Sequence, residues 1–355
     1  MALIHGGDME GYRLEYGRLP LDFSANCNPL GVPAGVERAI REAAAYADGY
    51  PDPLCRELGA AIAQNMGTLP QRVLCGNGAA DLIHRLVLAR KPKRALVPVP
   101  SFAEYELALH MVGCEVIRHP LKAEHGFSLT ESILTTALEP GTEMLFLCNP
   151  HNPTGLTIDP PLLQHILETC ERNRILLVMD ECFNGFLNEP EKHTLRRHLS
   201  EYEHLLVIDA FTKLYGMAGV RLGYCLSGNE ALLGEMRRAG QPWAVSSLAQ
   251  AAGIAALKEH QYIQKARVLI RKERKFLINQ LQRLGIKTYR GEANFIFFYT
   301  EIPRLAERMR EAGILIRDCS NYAGLSEGYY RIAVCTHDQN LRLLETLWSN
   351  GRCTE

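Results

Sequence analysis

Short, unbroken apolar runs alternate with longer stretches of helical period along the first two thirds of the chain. Val73 to Cys75, Ala95 to Val99, Met144 to Cys148, Ile175 to Met179, Leu205 to Ile208 and Val220 to Cys225 read as strands. Between them, Ala79 to Ala89, Pro161 to Asn173 and Asn229 to Ala239 carry apolar residues at helical spacing. Continuous apolar strands separated by helices predict an α/β fold, a mostly parallel sheet with helices on both faces. Ligands of such sheets bind outside the carboxyl ends of the strands.

The rhythm changes after about residue 245. One helical stretch, Ser247 to Leu284, leads into shorter strands at Asn294 to Tyr299, Ile314 to Ile316 and Tyr330 to Cys335. This pattern predicts a smaller α+β domain. The expected division is an N-terminal segment over 1–45 that packs with the small domain or across the cleft, a large ligand-binding domain over 46–245, and a small C-terminal domain over 246–355.

Composition narrows the partners. With 39 basic and 40 acidic residues among 355, the chain has no global field to recruit nucleic acid or an anionic membrane, so an anionic ligand must be captured locally. No apolar run approaches the ~20 residues of a membrane-spanning helix, and the N-terminus lacks the regions of a signal peptide. The 11 cysteines are scattered, and several sit inside apolar runs, as Cys75, Cys148 and Cys335 do. They read as reduced thiols in a cytoplasmic protein. Cys148 and His151 have no second ligand pair at metal spacing, so no metal is expected.

The candidate chemistry lies just after the strands. Gly76-Asn77-Gly78-Ala79-Ala80 joins a strand to a helix; its glycines let backbone N–H groups approach an anion at a helix N-terminus. Taken alone it is an ordinary tight turn. Neither a full dinucleotide fingerprint nor a GxxxxGK[ST] loop is present, which favours a single phosphate over a nucleotide. Asn149-Pro150-His151-Asn152-Pro153-Thr154-Gly155 follows the third strand, and its Asn-Pro steps hold the backbone out of the helical region. Asp180 closes the fourth, where an isolated aspartate would be read as a helix cap. Lys213 follows the fifth, in Asp209-Ala210-Phe211-Thr212-Lys213, with Arg221 eight residues on. A lysine at the mouth of a buried strand is costly unless its amine is used. Schiff-base formation with an aldehyde, above all pyridoxal phosphate, uses such an amine.

In this order and at these strand ends, the motifs resemble those of the fold-type I pyridoxal-phosphate enzymes, the aspartate aminotransferase superfamily, over essentially the whole length. Within it the chain is most similar to the threonine-phosphate decarboxylases of cobalamin biosynthesis, close relatives of the histidinol-phosphate aminotransferases. His5-Gly6-Gly7, the run Leu21 to Gly31, Phe102-Ala103-Glu104-Tyr105, Gln241-Pro242-Trp243 and the run Ile314 to Tyr322 carry the narrower likeness.

The resemblance implies roles. Lys213 would condense with the cofactor aldehyde and later shuttle protons, Asp180 would pair with the ring nitrogen, Asn152 would donate to the ring oxygen, and Tyr105 would stack on the ring. Gly78, Ala79, Thr212 and Arg221 would hold the cofactor phosphate, joined by Tyr50 from a second subunit of a homodimer. Arg331 would grip the substrate α-carboxylate, while His5, Gly6, Asn26, Asn152 and Arg317 would line the rest of the substrate site, including its phosphate. Two positions depart from the pattern. Ala210 stands where a Ser or Thr usually bonds the cofactor phosphate, a loss of roughly 1 kcal/mol. Phe183 stands where aminotransferases usually place a tyrosine, and the decarboxylase branch accepts phenylalanine there. The implied activity is decarboxylation of L-threonine O-3-phosphate, a small phosphorylated amino acid. Transamination of a substrate such as histidinol phosphate is the main alternative, and a pyridoxal-binding regulator a third.

Overall fold

The computed structural model describes residues 6–351. Its main sheet has seven strands in the spatial order Val73–Gly76, Gly223–Ser227, Leu205–Ala210, Leu176–Asp180, Met144–Cys148, Arg94–Val99, Glu115–Pro120. The last five run parallel to one another, and Gly223–Ser227 is antiparallel to both of its neighbours. Cys148 pairs with Asp180, which pairs with Ile208. The carboxyl ends of three adjacent strands therefore lie level, and the loops carrying Asn152, Asp180 and Lys213 leave from one rim.

Both faces of this sheet are dry because successive side chains of a strand point to opposite sides. Leu145, Leu147, Leu177, Met179, Leu205 and Val207 enter one core, with helices Arg56–Met66, Pro160–Arg172 and Ser247–Ala256. Met144, Phe146, Leu176, Val178, Leu206 and Ile208 enter the other, with helices Gly78–Arg90, Ala103–Met111 and Glu230–Ala239. The mostly parallel, doubly covered sheet expected from the apolar runs is the one observed.

The C-terminal residues build a four-stranded antiparallel sheet, ordered Arg317–Asp318, Tyr329–Ala333, Phe295–Tyr299, Lys287–Thr288. Its core takes in Ile270, Leu277 and Leu281 of helix His260–Arg283 together with Leu343 and Leu347 of helix His337–Gly351. Leu21–Asp22 pairs in parallel with Ile314–Leu315, tying the N-terminal segment to this unit.

Three details differ from the sequence reading. The single helix expected over 247–284 is two, Ser247–Ala256 and His260–Arg283. The first buries Ala249, Ala252, Gly253 and Ala256 in the large core and the second packs in the small one, so the change of core comes after Ala256. Periodicity runs on across the break because neither glycine nor proline marks it. Strand Glu115–Pro120 was not anticipated; it is an edge strand, paired on one side only and carrying Glu115, Arg118 and His119, so it lacks an apolar run. The strand expected from Val220 begins instead at Gly223, because Arg221 adopts φ +59° and ends the extended run. Among the described residues no helix is long and apolar enough to cross a membrane, and no group of His, Cys, Asp or Glu is placed to hold a metal.

Candidate active site

Lys213 lies on the four-residue helix Phe211–Leu214, directly after strand Leu205–Ala210. It lines a cavity of about 230 Å³ at the strand ends, together with Asn152, Asp180, Thr212, Arg317 and Arg331. Its Nζ donates to the Ala25 carbonyl at 2.6 Å. Burial is the largest influence on this amine and holds its pKa below that of an ordinary lysine; the cation of Arg331 adds to the effect and the nearby Cys27 opposes it. An amine so placed reaches its neutral, nucleophilic form more readily.

Asp180 faces the same cavity and is itself buried. Its Oδ2 accepts the Tyr105 hydroxyl at 2.6 Å and its Oδ1 accepts the Cys182 N–H at 3.0 Å. A carboxylate has about four lone-pair directions, so two bonds fix its plane and leave acceptor capacity toward the cavity. Asn152 is held by Arg331, whose Nη1 donates to Oδ1. Its amide NH₂ is thereby left as the donor end. Phe102 and Phe183 supply flat apolar wall.

Tyr105 does not take the place expected of it. Its ring is fully buried, stacked on Phe146 with centroids 5.1 Å apart, and Phe102 is the aromatic that lines the cavity. Phe102 is the extended residue just before helix Ala103–Met111, so its side chain leaves in a different direction from that of Tyr105 inside the first turn. Phe102 is thus the ring available to bound a ligand there.

At the other end, Ala79 and Ala80 open the 13-residue helix Gly78–Arg90 and line the cavity with Thr212 and Arg221. Free N–H groups and the positive end of the helix dipole make this an anion cradle. Gly78 has φ +82°, and a Cβ there would lie 2.6 Å from Arg221 Nη2. Arg221 spans the cradle, its Nη1 donating to the Ala218 carbonyl at 3.3 Å and its Nη2 to the Asn77 carbonyl at 3.4 Å. Ala210 lines the cavity without a hydroxyl. Tyr50 is 83% exposed, packed against Trp243 at 4.7 Å, and does not line its own chain's cavity.

Arg331, on strand Tyr329–Ala333, is buried and lines the cavity. Besides Asn152 it donates from Nη2 to the Ser24 carbonyl at 2.8 Å, and Asn26 in its accepting orientation takes Nε at 3.0 Å. All three partners are neutral oxygens. Among the described residues no carboxylate pairs with this guanidinium, which leaves its charge for a ligand. Arg317 is also buried; its Nη2 donates to Asn321 Oδ1 at 2.8 Å and its guanidinium lies 5.0 Å from the Tyr322 ring centre. Gly6 reaches the cavity, and a Cβ on it would meet the Ser24 carbonyl at 2.7 Å. His5 lies outside the described residues.

The cavity thus gathers Gly6, Asn26, Ala79, Asn152, Asp180, Thr212, Lys213, Arg221, Arg317 and Arg331, with Gly78 shaping the cradle, and leaves Tyr50 and Tyr105 outside. Its donor set fits pyridoxal phosphate: an anion cradle, an amine for an aldehyde, a carboxylate for a ring nitrogen and an aromatic wall. The sequence reading passed over Phe102 and Ser24. Phe102 was signalled by its place immediately past Pro100-Ser101, at the strand end, where the wall must lie.

The chain matches the sequence model described as aminotransferase class I and II over residues 20–347. It is 38% identical to a threonine-phosphate decarboxylase of Salmonella typhimurium, covering 98% of this chain and 97% of that one. To a histidinol-phosphate aminotransferase of Symbiobacterium thermophilum it is 33% identical, covering 97% and 94%. The solved structure of the histidinol-phosphate aminotransferase from Clostridium acetobutylicum superposes with a TM-score of 0.87 at 28% identity, covering 93% of this chain and 99% of that one.

Proposed function

The chain belongs to the class I and II aminotransferase family, and within it we propose a pyridoxal-phosphate-dependent lyase that decarboxylates L-threonine O-3-phosphate to (R)-1-amino-2-propanol O-2-phosphate. The observation that carries this reading is the pairing of Arg317 with Arg331. They are register partners across antiparallel strands, both are buried, and both line the cavity that holds Lys213. Directly opposed residues have Cβ atoms about 5 Å apart, so the two charges suit two anions on a short carbon skeleton. Phosphothreonine carries a carboxylate and a phosphate in that arrangement; histidinol phosphate has no carboxylate.

When bound, pyridoxal phosphate supplies an aldehyde for an amine and a protonated ring that draws electrons from a bond at substrate Cα. The chain's own residues do the rest. Ala79, Thr212 and Arg221 hold the cofactor phosphate, with Gly78 opening the approach, while Phe102 bounds the ring. Asp180 keeps the proton on the ring nitrogen by charge pairing. Asn152, its oxygen held by Arg331, donates toward the ring oxygen. Arg331 orients the substrate carboxylate through a planar fork that a lysine lacks. Arg317 takes the substrate phosphate, beside Asn26 and Gly6. Lys213 Nζ is placed to deliver the proton that replaces the departing carboxylate on Cα.

Transamination is the second reading, favoured by the likeness to histidinol-phosphate aminotransferases. Tyr50 stands on the surface, away from its own cavity, which supports a homodimer in which it serves the neighbouring site. Among the described residues the cysteines are unpaired and most of them buried, which supports a reducing, cytoplasmic setting. The deciding assay incubates cofactor-loaded protein with phosphothreonine and no keto acid. Release of carbon dioxide is expected. No release, with conversion of 2-oxoglutarate to glutamate when histidinol phosphate is the amine donor, overturns the lyase reading in favour of the transaminase.

A further inference from the structure

Tyr105 sits behind the cavity wall and touches two of the residues that face it. Its hydroxyl donates to Asp180 Oδ2 at 2.6 Å, and its ring meets Phe102 edge-on with centroids 5.7 Å apart. From below it is stacked on Phe146, so the hydroxyl has little freedom. A buried phenol needs an acceptor in any case. Here the acceptor is the cavity-facing carboxylate rather than a backbone carbonyl, and the bond is short, as charge-assisted O–H···O⁻ bonds are.

We propose that Tyr105 is a positioning residue, which holds the Asp180 carboxylate turned toward the cofactor ring nitrogen by donating its hydroxyl to Oδ2. This rests on the pyridoxal-phosphate reading of the site and adds to it. The titratable groups facing Asp180 are Tyr105, Cys148 on the adjacent strand, Cys182 on its own loop and Asp209 on the other neighbouring strand. Burial pushes the Tyr105 phenol and both thiols well up, so they stay protonated, and Asp209 is then the other acid of the group. Its proximity to Asp180 works against a second buried negative charge. Arg196 neutralises it in part, at 2.6 Å from Asp209. The hydroxyl of Tyr105 acts on Asp180 itself, together with the Cys182 N–H. A hydrogen bond to the charged form favours that form. Removing it frees the Asp180 carboxylate to turn away from the ring nitrogen.

Tyr105→Phe deletes one oxygen and keeps the ring between Phe102 and Phe146. The test is a pH titration of the visible absorbance of cofactor-loaded protein, for wild type, Tyr105→Phe, Asp180→Asn and the double variant. The titration midpoint is expected to move by about one unit in Tyr105→Phe, with kcat falling about tenfold and KM nearly unchanged. In the Asp180→Asn background the same tyrosine change should have no further effect, since the acceptor charge is gone. If Asp180→Asn takes up no cofactor, the single Tyr105→Phe titration decides. A Tyr105→Phe titration that superimposes on wild type overturns the proposal while leaving the cofactor assignment intact, and so does an equal shift in both backgrounds. Wild-type protein that gains no visible band with pyridoxal phosphate overturns both.

Discussion

Arg317 and Arg331 stand opposite each other in register on neighbouring antiparallel strands, two buried cations on one face of the small sheet. Like charges so placed repel, and the structure offsets this with oxygens: Asn321 for Arg317, and Ser24, Asn26 and Asn152 for Arg331. None of the three oxygens on Arg331 neutralises its guanidinium as an anion would, so that charge suits a ligand anion. Arg317→Gln is expected to raise KM for phosphothreonine at least about tenfold while leaving unphosphorylated threonine nearly unaffected, because a charge-assisted contact to phosphate is lost. Steady-state kinetics on both amino acids check it. Equal weakening of both would move the phosphate contact elsewhere.

The Lys213 amine should titrate below an exposed lysine. Burial disfavours its ammonium form, so the folded protein holds the neutral amine down to a lower pH than the ordinary value of 10.5. The rate at which apoprotein takes up pyridoxal phosphate, followed by absorbance against pH, is expected to rise with a midpoint clearly below 10.5. A midpoint at the ordinary lysine value would contradict the burial of this amine.

Gly223→Ala offers a way to damage the phosphate cradle without touching its ligands. A Cβ at Gly223 would lie 2.7 Å from the Gly78 carbonyl carbon and 2.8 Å from the Ala79 nitrogen, both backbone atoms. The helix start must shift, and its N–H groups lose their aim. Pyridoxal phosphate affinity is expected to fall about tenfold or more, about the worth of one charge-assisted hydrogen bond. Pyridoxal without its phosphate should bind as before. Fluorescence titration of apoprotein with both compounds distinguishes the two, and parallel losses would contradict the cradle.

His151 should shape the acid limb of stability. It is buried beside Thr154, with Nδ1 2.9 Å from Thr154 Oγ1, and burial depresses its pKa to about 4, against the opposing effect of the Pro100 backbone. Its unfolded value is 6.5, so below that pH the unfolded chain binds the extra proton. The stability it contributes is present above pH 6.5 and is lost as pH falls through about 4, on the order of 3 kcal/mol in all. His151→Gln is expected to flatten the dependence of urea midpoint on pH across that window. An unchanged slope would contradict it.

The large sheet was legible because its strands are buried on both faces and read as unbroken apolar runs, and because each functional polar residue interrupts such a run at its carboxyl end. Strand Glu115–Pro120 escaped notice for the complementary reason: an edge strand alternates with charge. The positions of Asn152, Asp180 and Lys213 follow from strand ends and are therefore visible in one dimension, whereas Arg331 lies within strand Tyr329–Ala333 and was reached only through the family resemblance. Which of Phe102 and Tyr105 faces the cavity depends on the rotation of one helix start, and that is fixed by Phe146 and Asp180 from distant strands. The buried ion group in which Arg196 bridges Glu181 and Asp209 lay equally beyond sequence reading. Arg196, which joins the two acids, sits in none of the motifs.

The central claim is that Lys213 carries the cofactor. Borohydride reduction of protein loaded with pyridoxal phosphate, followed by peptide mapping with mass spectrometry, tests it most directly. The expected result is the mass of a reduced pyridoxyl phosphate on the peptide containing Lys213 and on no other lysine. A fully loaded protein whose label sits on a different lysine, or whose Lys213 peptide is unmodified, would contradict the account.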